Sequence, residues 1–278
     1  MSIGFVNGKF VDIEKPSFSA QDRALLYGDG FFESIKYSKG RVLHFNLHYA
    51  RIEMSLKLLK LQAEEDWTRE SMHGLVKEVC DRNKYTNARI RIVFYRETEG
   101  TYLPHNNKVN FFITAMPIEE SQYPFKAIAN LDIYKQLYKT SNFTSILKTT
   151  SANIYVLASI FAKEENHDDC LLVNEQEHIC EATSSNIFIV KNNKIITPPL
   201  SEYCVNGVMR KVVLQLAEAY GYECQESLIE EQDLYLAHEV FLTNALNGIM
   251  PVKDFRGREY SFAHTDILIK MLNESILA

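Results

Sequence analysis

A polar stretch ending in proline, Ile118 to Pro124 (IEESQYP), separates two patterns of hydrophobic spacing in this chain. That division constrains the fold more than any other feature. Before it the spacing is that of paired strands. Asn7-Gly8 lies between Phe5-Val6 and Phe10-Val11. This is a strong hairpin signal, because both turn residues tolerate the positive φ that tight hairpins need. Lys39-Gly40 reads as a second hairpin turn. In the strand between, after Gly28-Asp29-Gly30, the residues Phe32, Ser34 and Lys36 fall on the opposite face from Phe31, Glu33 and Ile35. Leu47, Ala50, Met54, Leu58 and Leu61 recur at three or four positions, which predicts a helix from Asn46 to about Leu61. A second helix is expected from Thr68 to Arg82. ARIRIVFYR (88–96) and VNFFITAMP (109–117) read as strands.

After the proline, strands and helices interleave. A helix is expected from Ser151 to about Lys163, with Ile154, Leu157, Ala158 and Phe161 on its apolar face. CLLVNEQEHICEA and NIFIVKNNKIITPP read as strand–turn–strand units. Residues 208–221 form a helix closed by Gly221, a natural C′ residue. EVFLTNALNGIMPV (239–252) reads as a strand leading into a loop. The expectation is an α/β (α+β) chain of two domains, 1–118 and 125–278, joined by a linker at 119–124. A chain of 278 residues is long enough to bury a sizeable core in each.

Composition removes several function classes. The net charge of −6 and the scattered basic residues give no footprint for nucleic acid. No apolar run reaches the ~18 residues of a membrane span. MSIGFVNGKFVDIEKP has no basic region followed by an apolar block, so no secretory signal is read there. The five cysteines are odd in number and form no CxxC pair. A reduced cytoplasmic chain without a metal site or a disulfide framework is the simple reading.

The chemistry sits in one ordered set. Lys148 stands in SILKTT, Glu181 opens EATSSNIFIV, and TPPL (197–200) leads to Asn206-Gly207-Val208-Met209-Arg210 at the mouth of the 208–221 helix. Each has a bland alternative. Most lysines are solvated, a strand glutamate commonly faces water, and Asn206 serves equally as an ordinary helix N-cap. Lys148 is distinguished by its place after Ser145-Ile146-Leu147 and before small hydroxyl residues. A partly desolvated amine has a lowered pKa and is a competent nucleophile. Gly207 would let a phosphate approach the N–H groups of Val208 and Met209. Arg51, in His48-Tyr49-Ala50-Arg51, is a candidate second phosphate contact, and on its own an ordinary helix arginine. An amine for a Schiff base, a carboxylate for a ring nitrogen and a helix end for a phosphate are what a pyridoxal 5'-phosphate site requires.

At this point the chain resembles the class IV aminotransferases, the fold-type IV pyridoxal phosphate enzymes. The resemblance is carried in order by YGDGFFESI (27–35), HYARI (48–52), Leu147-Lys148, E-x4-N-I-F (181–188), ITPP (196–199), GVMR (207–210) and TNALNGIMPV (243–252). It implies a small N-terminal α/β domain and a larger C-terminal domain with a barrel-like sheet. It also implies a cofactor between them, and usually a homodimer whose partner loop helps close the site. By position it makes Lys148 the Schiff-base lysine and Glu181 the partner of the pyridine nitrogen. Arg51 becomes a phosphate ligand, with helix-end contacts from Gly207, Val208 and Met209. Tyr27, Phe32 and Arg91 match pocket-lining positions, and Asn244, Ala245 and Leu246 match a loop beside phosphate and substrate.

Within the family, VNGVMR and NALNGIMPV are most similar to 4-amino-4-deoxychorismate lyase, which implies formation of 4-aminobenzoate and pyruvate. The alternative is an amino-acid transaminase, for branched-chain or D-amino acids, with 2-oxoglutarate. Against the lyase, the loop Arg96-Glu97-Thr98-Glu99-Gly100-Thr101-Tyr102 lacks the family's glycine- and arginine-rich pattern, and Ser151 stands where lyases usually carry asparagine. Arg91 favours an amino-acid substrate held by its carboxylate. A remote alternative is a non-catalytic homologue that kept the fold.

Overall fold

The structure is a computed structural model that describes residues 2–15, 18–97 and 100–277. The chain divides into two compact units. One comprises Met1–Ser121 with Leu147–Ser151, the other Gln122–Ile146 with Ala152–Ala278. Residues 147–151 therefore group with the first unit, although they follow the linker in sequence.

The first unit contains β1 (Ile3–Val6), β2 (Lys9–Asp12), α1 (Arg23–Tyr27), β3 (Gly30–Ser38), β4 (Arg41–Val42), α2 (Phe45–Leu58), α3 (Arg69–Arg82), β5 (Asn87–Arg96) and β6 (Val109–Pro117). The strands form an antiparallel sheet in the order β2-β1-β6-β5-β3-β4. Both predicted hairpins are present. Their turns place Asn7 and Gly8 at φ 43° and 87°, and Lys39 and Gly40 at 49° and 78°. One sheet face carries Phe31, Ile35, Tyr37, Ile90, Ile92 and Phe94, packed with Ile52, Met72, Val76 and Val79 from α2 and α3. By the alternation of strands, Phe32, Ser34, Arg89 and Arg91 lie on the other face. The N-terminal half of β3 gains a second neighbour from residues 147–151. Phe32 N–H donates to Lys148 O at 2.9 Å, Thr150 N–H to Gly30 O at 3.0 Å, and Thr150 Oγ1 to Gly28 O at 2.8 Å.

Helix α2 corrects its sequence reading. The stripe Leu47, Ala50, Met54, Leu58 predicted an apolar inner face, yet the buried residues are Phe45, His48, Arg51, Ile52 and Ser55. Ala50 is exposed. The rotation has a physical cause. Glu33 sits on the apolar face of β3, and a buried carboxylate needs partners that His48 and Arg51 supply.

The second unit contains β7 (Ile128–Lys139), α4 (Asn153–Glu164), β8 (Asp169–Asn174), β9 (Ile179–Ala182), β10 (Asn186–Lys191), β11 (Lys194–Thr197), α5 (Val208–Ala219), β12 (Glu223–Glu226), α6 (Glu231–Leu236), β13 (Glu239–Asn244), β14 (Gly248–Phe255), β15 (Arg258–Glu259) and α7 (Ala263–Ser275). Its mixed sheet runs β12-β11-β10-β13-β14-β7-β8-β9, with β15 on β14. One apolar cluster draws on six of these strands. It includes Leu131, Ile133, Leu171, Val173, Ile179, Ile187, Ile189, Val240, Leu242, Met250 and Val252. A single sheet that supplies such a cluster curls around it as a half-barrel. Its other face also carries packing: Cys170, Leu172 and Tyr134 meet Ala158 and Ala162 of α4. Cover on both faces explains why β8, β10 and β13 read as continuous apolar runs instead of alternating.

Two further readings change here. Leu157, expected on the apolar face of α4, is 45% exposed, as are Val156 and Ile160 to similar degrees. The helix instead packs through Ile154, Tyr155, Ala158, Phe161 and Ala162. The 239–252 segment does not end in a loop. It turns at residues 245–247 and returns as β14, paired Asn244 to Gly248.

Candidate active site

Lys148 is half-buried in the first unit, its carbonyl fixed by the Phe32 amide. Its Nζ lies 4.5 Å from the centroid of the Phe32 ring. The Arg91 guanidinium lies 4.2 Å from the same centroid. Phe32 thus contacts both cations on one sheet face, an arrangement stabilised by the ring quadrupole. Burial, and then the charge of Arg89, hold Arg91 below its ordinary range. Tyr27 ends α1 and is 39% exposed. Its ring centre lies 5.5 Å from that of Tyr102, and Arg23 stands 4.9 Å above it. The loop from Arg96 to Tyr102 includes Thr98 and Glu99, which lie outside the described residues. Arg96 itself is structural, bonded to Asp29, Asn107 and Leu59 O.

Arg51 points inward from α2. Its Nε and Nη2 each lie 2.7 Å from Glu33, one on each carboxylate oxygen. His48 Nδ1 approaches Glu33 Oε2 at 2.6 Å. Burial would raise the Glu33 carboxyl, but the Arg51 charge and the His48 and Arg51 hydrogen bonds outweigh it and hold the group at about 2. Burial lowers His48 more than Glu33 raises it, so the imidazole is neutral and its Nδ1–H donates.

In the second unit Glu181 lies on β9, 2% exposed. Its Oε1 accepts from Lys139 Nζ and from Tyr155 Oη at 2.8 Å, and its Oε2 accepts from Val205 N–H at 2.8 Å. The last bond ties the carboxylate to the segment that enters α5. Asn186 braces the same segment, donating from Nδ2 to Val205 O at 2.8 Å. The N-cap of α5 is Gly207, not Asn206, and no side chain caps it. The N–H groups of Val208 and Met209 are therefore left by the helix itself for an outside acceptor. A Cβ on Gly207 would meet Asn186 Oδ1 at 1.9 Å, so a larger residue there would push aside the amide that braces this segment. Arg210 is buried, donating to Pro198 O at 2.8 Å and paired with Glu226. It anchors α5 through these bonds.

The loop after β13 is ordered by Asn244, whose Oδ1 accepts from the amides of Leu246 and Asn247 at 3.1 and 2.9 Å. Its Nδ2 donates to Ser185 Oγ at 3.0 Å, beside Asn186. Ala245 O lies 3.5 Å from Tyr123 Oη. The second unit thus brings together Glu181, Gly207, Val208, Met209, Asn244, Ala245 and Leu246 through a continuous set of bonds. Lys148, Phe32, Arg91, Arg51 and Tyr27 belong to the first unit.

Sequence reasoning passed over Glu33, Lys139, Tyr155 and Asn186. Glu33 did carry a signal, a charge on the apolar face of an alternating strand. Lys139 and Tyr155 carried none, because nothing local separates them from surface residues. Among the described residues no helix is long and apolar enough to cross a membrane, and no cluster of His, Cys, Asp and Glu could hold a metal ion.

These residues can be set beside known proteins. The family described as amino-transferase class IV matches residues 30–255. A provisionally named branched-chain-amino-acid aminotransferase of Methanocaldococcus jannaschii is 31% identical, over 97% of this chain and 93% of its own. An aminodeoxychorismate lyase of Vibrio harveyi is 28% identical, over 86% and 87%. Among solved structures, the branched-chain aminotransferase of Thermoproteus uzoniensis with norvaline superposes with a TM-score of 0.89, at 23% identity over 99% of this chain and 95% of that one. At that identity the likeness is one of fold.

Proposed function

The chain belongs to the class IV aminotransferases, and from that membership we propose that it is a pyridoxal 5'-phosphate enzyme that transfers the amino group of an amino acid to a 2-oxo acid. One observation carries the substrate class. Lys148 and Arg91 contact the same Phe32 ring, so a reactive amine and a carboxylate-binding cation share one sheet face. A substrate with its amino group close to a carboxylate fits that pairing. The 31% relative supports transamination over the other family reactions.

The residues fit the cofactor by type and by environment. Glu181 offers an oriented carboxylate, and α5 offers a helix end uncapped by any side chain. When bound, the cofactor supplies an electrophilic carbonyl and an electron-withdrawing ring. Lys148 Nζ would hold it, and the same amine would move the proton at the substrate α-carbon. Glu181 holds the proton on the pyridine nitrogen. Val208 and Met209 N–H, with the helix dipole, hold the phosphate. Arg51, oriented by Glu33, would be its cationic contact. Arg91 would bind the substrate carboxylate, with Tyr27 and Phe32 as substrate contacts of the first unit, and Asn244, Ala245 and Leu246 would be the cofactor and substrate contacts of the second.

The lyase reading is the second one, supported by VNGVMR, NALNGIMPV and the 28% relative. A product assay separates the two. Purified protein with pyridoxal phosphate is given 4-amino-4-deoxychorismate, L-branched-chain amino acids and D-alanine side by side, the amino acids with 2-oxoglutarate. Glutamate and a keto acid are the expected products. Release of 4-aminobenzoate with pyruvate would transfer the assignment to the lyase. A protein that stays colourless with added cofactor would defeat both.

A further inference from the structure

The second unit buries a second lysine beside the proposed cofactor carboxylate. Lys139 ends β7 and is 3% exposed. Its Nζ donates to Glu181 Oε1, to Tyr155 Oη at 2.9 Å and to Ser145 O at 3.1 Å. Tyr155, on α4, donates its own hydroxyl hydrogen to the same Glu181 oxygen at 2.8 Å. Val205 N–H takes Oε2. A carboxylate offers about four lone-pair sites. Lys139 and Tyr155 fill those of Oε1 and Val205 fills one on Oε2, so the remaining acceptor direction lies on Oε2.

A buried ion pair of this kind does little for stability that apolar side chains of the same volume would not do as well. What it does secure is charge and direction. Burial without a counter-charge disfavours the charged form of a carboxyl, and a neutral carboxylic acid does not favour a protonated pyridine. We infer that Lys139 is a positioning residue that keeps Glu181 ionised and aims its Oε2 at the pyridine nitrogen. This rests on the assignment of Glu181 to the cofactor ring made above.

The other titratable groups packed against the pair are neutral or already partnered. Burial works to lower Lys139, but the Glu181 charge and Tyr155 outweigh it and hold the ammonium above its ordinary range. Burial, and then the Glu181 charge, raise the Tyr155 phenol. Burial also raises the neighbouring thiols, Cys180 on β9 and Cys204 before α5, the latter to about 12. The next charges out are already partnered, Glu202 with His178 and Arg210 with Glu226.

The test compares Lys139→Met, Lys139→Arg, Glu181→Gln and the double variant Lys139→Met/Glu181→Gln. Three quantities are read: the Kd for pyridoxal phosphate, the absorbance of the bound cofactor as a function of pH, and the pH profile of kcat. In Lys139→Met the acid limb of kcat and the absorbance titration should both move up by about one pH unit or more, with about tenfold lower kcat at neutral pH. Lys139→Arg should restore both. In the double variant the neutral glutamine has no charge to balance, so its titration should match that of Glu181→Gln alone. Because the double variant removes both buried charges together, it decides the matter even where Lys139→Met alone does not fold. A Lys139→Met titration identical to wild type overturns the proposal. So does a double variant shifted away from Glu181→Gln. If Glu181→Gln itself leaves the absorbance titration unchanged, the ring assignment of Glu181 fails instead.

Discussion

Arg51 and Glu33 form a two-pronged ion pair inside the first unit, with Nε and Nη2 each 2.7 Å from a different carboxylate oxygen. Both Glu33 oxygens are thereby committed, and the second is shared with His48. The folded protein holds this carboxyl at about 2, against 4.5 for the free group. A depressed carboxyl stabilises the fold above its unfolded pKa and loses that contribution as pH falls through its folded one. The window therefore runs from 4.5 down to about 2. Its size is about 3 kcal/mol. Glu33→Gln should be less stable than wild type at about pH 6, and the gap should close as pH falls below about 3. Urea midpoints for both proteins across that range check it. A gap that stays constant would mean Glu33 contributes by packing alone.

Replacing Arg51 by alanine has two separable effects. The Kd for pyridoxal phosphate should rise, with no change in which amino acids react. Stability should also fall by about 3–5 kcal/mol, because the Glu33 carboxylate is left buried without its partner. Cofactor titration by fluorescence and urea unfolding of the apoprotein read the two effects independently. Equal cofactor affinity in both proteins removes Arg51 from the phosphate site while leaving its structural role intact.

Lys148→Ala should abolish the borohydride-reducible link between protein and cofactor. Peptide mapping of the reduced wild-type protein should find the pyridoxyl group on Lys148. Finding it on Lys139 or any other lysine would sink the assignment.

Arg91→Gln should raise KM for every carboxylate substrate and leave the absorbance of the bound cofactor intact. Loss of one charge-assisted pair is worth about 1.5–3 kcal/mol, or roughly ten- to a hundredfold in kcat/KM. Steady-state kinetics with at least two amino acids checks it. A wild-type KM would show that the carboxylate is held elsewhere.

Much of the fold could be read from spacing alone. Asn7-Gly8 and Lys39-Gly40 mark their turns because the backbone there requires positive φ, a local constraint that leaves a local trace. The helix expected from about Thr68 to Arg82 is α3, and Thr68 caps it, with Ser71 returning the bond. The failures share a cause. Helix α2 presents its polar face inward because of Glu33, twelve residues before the helix begins, and α4 turns Leu157 outward because its neighbours on β7 and β8 suit Ala158 and Ala162 better. Tertiary partners, not periodicity, set both. Lys148, Glu181 and Gly207 could be singled out as candidates because each lies next to a distinctive element end. Lys139 could not, because its partner Glu181 lies forty-two positions on and their meeting depends on the parallel pairing of β7 with β8.

The strip Leu147–Ser151 along β3 has a consequence for anyone who would dissect this protein. A fragment ended at the linker would lack the donor to Gly30 O and the acceptor for Phe32 N–H. Half of one flank of β3 would be bare, an open strand edge of the kind that recruits other chains. Such a fragment should aggregate on expression, and a synthetic peptide spanning 147–151 should be the additive that keeps it in solution. The first unit is thus assembled from two separate stretches of chain, and no single cut in the sequence yields it whole.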